Sequence, residues 1–171
     1  MSHSLNWTSL GHYSIYGDGS YSHRSRIGVS CSLLYFDNKL FGKEMIRSHF
    51  EDSLEVEIVS SFWMLKYLPP SSTVHVYNDC EGVQFFYKQL NKSEDKVNSW
   101  ISNRKSLRHT NFNFYHQLLD VLMIMKSLNL TFILSNEDRS DNIRFCDRAS
   151  RQFLQTRKKS IYDQLVIEDS I

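Results

Sequence analysis

Only two prolines and six glycines occur in 171 residues, too few for collagen-like, linker-rich or small loop-built architectures. Three cysteines, Cys31, Cys80 and Cys146, are odd in number and lack any CxxC spacing, which argues against a disulfide framework and against a zinc site. Reduced thiols are expected. No stretch approaches the roughly 18 consecutive apolar residues of a membrane-spanning helix. The N-terminal region carries Asn6, Thr8, His12 and Asp18 and no uninterrupted apolar segment, so a secretory leader is not expected either. With the starting Met, these absences point to an entire small, soluble, cytoplasmic protein without a membrane partner. A formal net charge of +1 is too small to turn the whole surface into a phosphate-binding field, so local charge must decide any polyanion contact. Repeats and low-complexity tracts are absent as well.

What is present fits one globular domain over residues 1–171, with 41% hydrophobic, 23% charged and 13% aromatic residues. Tyr13 to Tyr16 reads as a short strand stopped by Gly17-Asp18-Gly19-Ser20, and Ile27 to Phe36 reads as a second strand. Asp37-Asn38 is the turn after it, and Lys39 to Arg47 returns as a third strand with a solvated face. The period then changes. Leu54, Ile58, Phe62 and Leu65 share one helical face that ends near Pro69, with Ser53 as a candidate cap. Thr73 to Tyr77 is a fourth strand, followed at once by a helical stretch from Gly82 to Leu90. Helical material is expected around Trp100 and Ile101, and a further face is expected from Tyr115, Leu118, Leu119, Leu122 and Met123. Thr131 to Leu134 makes a fifth strand. Phe145, Ala149 and Phe153 mark a closing helix whose far end, Arg157-Lys158-Lys159, complements a helix C-terminus. This order predicts an α/β fold: a five-stranded mixed sheet flanked by helices, with strands 1–3 antiparallel and strands 4 and 5 parallel to strand 1.

Asp18 and Asp79 then stand at the C-terminal ends of strands 1 and 4, where a reversal of sheet order would aim both into one crevice. Glu57 adjoins the apolar row of its helix, with Glu55 as a rival, and Asp147 lies near the start of the last helix. Alone, an acid between two glycines is ordinary turn chemistry. Four converging carboxylates, however, cannot all stay ionised without a compensating charge. Hard oxygen ligands suit Mg²⁺ or Mn²⁺, and two such ions roughly 3.5–4 Å apart serve phosphodiester hydrolysis.

In order and spacing, Tyr-Gly-Asp18-Gly-Ser, a helix entered at Glu57, Val-Tyr-Asn-Asp79 and Arg-Phe-Cys-Asp147-Arg-Ala resemble type I ribonuclease H. The resemblance implies a ribonuclease H-like fold and two bound Mg²⁺ (or Mn²⁺) ions held by Asp18, Glu57, Asp79 and Asp147. It also implies cleavage of the RNA strand of RNA/DNA hybrids, with Gly19 and Ser20 contacting that strand. Protein partners are not implied. The chain departs from the family at two places. Where many members carry a Gly-His loop before the last acid, it reads Ser135-Asn136-Glu137-Asp138, and the groove-reading Asn and Gln side chains are missing. Between them, residues 88–109 hold Lys88, Lys92, Lys96, Arg104, Lys105 and Arg108 around Trp100, against Glu94 and Asp95. This resembles the basic, Trp-bearing protrusion with which bacterial members grip the DNA strand; a solvated helix face and a core Trp100 are the plainer readings. The rival to catalysis is a ribonuclease H-fold module that binds nucleic acid or protein without cutting.

Overall fold

The computed structural model describes residues 11–106, 112–135 and 140–156, except the side chains of residues 94, 97, 101, 104–106 and 112–117. Three strands come first, β1 (His12–Ser22), β2 (Ile27–Phe36) and β3 (Lys39–His49). Then follow α1 (Ser53–Phe62) with a 3-10 extension (Trp63–Tyr67), β4 (Thr73–Asn78), α2 (Glu81–Lys92), α3 (Glu94–Ser106), α4 (Phe112–Met125), β5 (Asn129–Leu134) and α5 (Asp141–Gln155). The sheet order is β3-β2-β1-β4-β5. β1, β2 and β3 pair antiparallel, whereas β4 runs parallel to β1 and β5 parallel to β4. This is the expected five-stranded mixed α/β sheet. Asp37 and Asn38 form the expected two-residue turn, both with positive φ (46° and 64°), the twist-matched geometry for a tight hairpin.

Strand alternation sends successive side chains to opposite faces. Tyr13 and Ile15 of β1 join Ile58, Val59 and Phe62 of α1, Val74 and Val76 of β4, and Leu118, Val121 and Leu122 of α4 in the main core. On the other face Cys31 and Leu33 pack with Cys146, Tyr16 and Met45 beneath α5. Each fully buried aliphatic side chain here contributes roughly 1.5–3 kcal/mol relative to exposure.

Several local expectations are corrected. β1 does not stop at Gly17: Asp18 pairs with Cys31 and Ser20 with Val29, so the strand carries the acid in its interior. The flanking glycines answer to helix approach instead. A Cβ at Gly17 would stand 2.3 Å from the Ser60 carbonyl oxygen, and one at Gly19 would stand 2.5 Å from Val56 Cγ1. α1 is capped by Asp52 rather than Ser53: Asp52 Oδ1 accepts from Glu55 N at 3.0 Å while Glu55 Oε2 accepts from Glu51 N at 2.8 Å, a reciprocal cap. α4 buries Val121 and leaves Met123 56% exposed. α5 buries Ile143, Cys146 and Ser150, a face offset from the expected Phe145 row, because it must seat on Cys31 and Tyr16. Arg157-Lys158-Lys159 and Asn136 to Asp138 lie outside the described residues.

Candidate metal centre

The last parallel pair between β1 and β4 is Tyr16 with Tyr77. Asp18 and Asp79 each follow by two residues, so the two acids stand abreast where the sheet switches from antiparallel to parallel pairing. α1 crosses the same point, pressed onto Gly17, and brings Glu57. Asp18 is only 3% exposed and its Oδ1 accepts from Gly19 N at 2.7 Å. Burial pushes the Glu57 carboxyl well above its ordinary range, and the neighbouring Asp18 raises it further. A hydrogen bond from Asn78 opposes the rise, Asp79 adds to it, and the two carboxyls of Asp18 and Glu57 lie within hydrogen-bonding reach. Without a cation, burial and the neighbouring Asp18 therefore favour the protonated form of the Glu57 carboxyl.

Asn78 is the organising residue that sequence reasoning passed over. Fully buried, its Nδ2 lies 3.0 Å from Gly17 O, 3.2 Å from Glu57 Oε2 and 3.3 Å from Ser60 Oγ. Its Oδ1 accepts from Cys80 N at 2.7 Å, an Asx-type turn that launches α2. One amide thus ties β1, α1, β4 and α2 around the acids. Ser60 Oγ also donates to Glu57 O at 2.8 Å, and Ser32 Oγ donates to Ser60 O at 2.6 Å. An Asn directly before an acid at a strand end was the available signal.

The rival Glu55 is 3% exposed and committed to the helix cap, which leaves Glu57 as the acid of α1 that faces Asp18. Asp147 comes alongside β1 through its neighbours in α5. Cys146 Sγ lies 3.6 Å from Tyr16 O, and Ser150 Oγ lies 3.0 Å from Ser20 Oγ. These contacts, one before and one after Asp147, dock its turn of α5 along the β1 segment that bears Asp18. Asp147 Oδ1 is bound by Arg151 Nε at 2.7 Å. Among the described residues, no three His, Cys, Asp or Glu side chains are gathered closely enough to hold a metal ion as they stand. The donor types nonetheless suit a hard divalent ion: the groups that act on the Glu57 carboxyl are the carboxyls of Asp18 and Asp79 and the amide of Asn78.

The other expected contacts are more scattered. The Gly19 backbone serves the approach of α1, and the Ser20 hydroxyl is engaged by Ser150. Lys88, Lys92 and Lys96 are exposed on α2 and α3. Trp100 is half-buried, its ring 5.2 Å from that of Phe86, and with Lys96 it lines a cavity of about 410 Å³ that also includes Leu54 and Phe85. Arg104 and Lys105 lie on α3 with side chains outside the description, and Arg108 lies outside the described residues. No family model matches the chain, and no curated protein matches it.

Proposed function

We propose that this protein is a ribonuclease H-like, divalent-metal-dependent endonuclease that hydrolyses the RNA strand of RNA/DNA hybrids. The observation that supports the reading is a Glu57 carboxyl raised by burial, by Asp18 and by Asp79 beside the point where the sheet switches from antiparallel to parallel pairing. The strand order, α1 entering beside Asp18 and α5 on the opposite face support the ribonuclease H-like arrangement; substrate choice rests on the resemblance of the motifs. Asp18, Glu57 and Asp79 would hold Mg²⁺ or Mn²⁺, with Asp147 joining as Arg151 yields one of its oxygens. A pair of such ions supplies activation of water and neutralisation of charge on the phosphodiester. Asn78 fixes the Glu57 carboxylate through its amide, and the Ser20–Ser150 contact holds Asp147 in register with Asp18.

The binding-module reading is favoured by one specific observation, the 2.7 Å pairing of Asp147 with Arg151, which already compensates the fourth acid. A gel assay separates the two. With a labelled hybrid, duplex RNA and branched DNA side by side, the RNA strand of the hybrid is expected to be cut in Mg²⁺ or Mn²⁺, not in chelator, and not by Asp18→Asn. Hybrid binding without cleavage in either metal would overturn the nuclease reading in favour of the module.

A further inference from the structure

A second site lies away from the acids, between β2, β3 and α5. It is a cavity of about 500 Å³, within the roughly 300–1,000 Å³ range of small-ligand pockets. Leu33, Tyr35, Leu40 and Phe145 line it, Lys43 and Arg148 bring two cations to it, and Asp141 brings one carboxylate, which lies 3.9 Å from Arg144 Nη1. The walls are not sealed by the fold: Leu40 and Phe145 are each 38% exposed.

The backbone is shaped to keep this space open. Along β3 the partners of Cys31 and Leu33 are Met45 and Lys43, two residues apart, but the partner of Tyr35 is Leu40, because the register shifts between Leu34 and Tyr35. This bulge carries one extra residue in β3. Phe41, which an unbroken alternation would place on the α5 side, instead packs against the main core, and Leu40 turns to the cavity. Bulges commonly re-aim a side chain at a functional surface. An aromatic plug is thereby withdrawn and a smaller aliphatic wall is substituted.

The chemistry of the lining selects a ligand with two parts. Lys43 Nζ lies over the Phe145 ring, 5.5 Å from its centroid, and the Arg148 guanidinium offers a planar fork suited to two oxygens of a phosphate. The apolar side chains of Leu33 and Leu40 suit a flat ring, while the Phe145 ring carries Lys43. At the α5 end, Tyr35 Oη donates to Asn142 Oδ1 at 2.9 Å, so these two polar groups of the lining satisfy each other. We propose that this cavity binds a nucleotide unit, its base against Leu33 and Leu40 and its phosphate between Lys43 and Arg148. The unit is either a free nucleoside monophosphate or the phosphorylated terminal nucleotide of a strand. This proposal does not depend on the acid site.

The test is calorimetric titration of the full chain in chelator with adenosine 5′-monophosphate, adenosine, inorganic phosphate and a 5′-phosphorylated single-stranded oligonucleotide. Adenosine and phosphate alone are expected to bind at least about tenfold more weakly than the monophosphate. Arg148→Gln and Leu40→Glu, both at exposed positions, should each weaken it by about tenfold or more, whereas Asp18→Asn should leave it unchanged. Tighter binding of the oligonucleotide, still lost in Leu40→Glu, assigns the pocket to strand ends; tighter binding of the monophosphate assigns it to a diffusible ligand. Absence of monophosphate binding, or binding that Arg148→Gln and Leu40→Glu leave intact while circular dichroism shows both folded, would overturn the proposal.

Discussion

Replacing Glu57 by Gln tests the electrostatics of the acid cluster without any substrate. Two carboxylates within hydrogen-bonding reach repel by up to about 4 kcal/mol at the effective dielectric of about 20 that suits protein sites. The Asn78 Nδ2 contact at 3.2 Å returns about 1 kcal/mol of this, and a Gln oxygen accepts the same bond. The metal-free Glu57→Gln protein should therefore be more stable than wild type by about 1–3 kcal/mol at pH 7.5, which for a chain of this size raises Tm by about 2–10 °C. The difference has a pH signature. Because burial and Asp18 raise the folded Glu57 pKa above its unfolded value, the folded state keeps a proton that the unfolded chain has released. Stability from this group is full below the unfolded carboxyl range and is lost as pH rises through the raised folded value. The gap between variant and wild type should thus close near pH 4 and widen toward neutrality. Thermal unfolding in chelator across pH 4–8, repeated with Mg²⁺, measures both effects; added Mg²⁺ should stabilise wild type more than the variant. A Glu57→Gln protein that is less stable than wild type at pH 7.5 in chelator, or that shows the same pH slope, would refute the reasoning.

Other expectations follow from single contacts. Gly17→Ala places a methyl group 2.3 Å from a backbone oxygen of α1, which must move by about 1 Å; a loss of about 2–4 kcal/mol in denaturant unfolding is expected, and a neutral effect would deny the tight β1–α1 approach. Asn78→Leu removes the hydrogen bonds to Gly17, Glu57 and Ser60 from a fully buried position and should cost about 2–4 kcal/mol by the same assay. Retention of full stability by Asn78→Leu would show that Asn78 does not organise the site. Lys66 Nζ lies 3.5 Å from the buried Glu44 and over the rings of Trp63 and Tyr67. Burial raises the Glu44 pKa and Lys66 opposes the rise, so Lys66→Met should destabilise by about 1–3 kcal/mol at pH 7 and by less at pH 5, because a raised carboxyl is charged to a smaller extent as pH falls. An equal loss at both pH values in urea unfolding would contradict that pairing.

Much of this architecture was legible in the chain because long apolar rows and turn residues speak locally. The Val-Leu-Tyr run of β2, the Asp37-Asn38 turn and the four-residue rhythm of α1 each identify their element without tertiary help. Legibility failed where a distant partner decides. Gly17 and Gly19 read as a turn because glycine has no local mark that distinguishes a bend from a surface pressed by a helix; only the position of Ser60 and Val56 makes the difference. α5 was assigned its Phe145 face by hydrophobicity, yet two small residues, Cys146 and Ser150, face the sheet because the helix sits close to it. The four acids are proposed on type and spacing. What spacing could not give is their company: the amide of Asn78 beside Glu57 and the guanidinium of Arg151 on Asp147 are set by packing between elements and by one helical turn respectively.

The central claim is that Asp18, Glu57 and Asp79 form a divalent-metal centre, and it is tested most directly by anomalous scattering from crystals soaked in Mn²⁺. The account predicts manganese peaks among these three carboxylates, with Asp147 turning toward them from Arg151, and no such peaks in Asp18→Asn crystals. A wild-type crystal in which that crevice stays empty of manganese while the acids remain in place would contradict it.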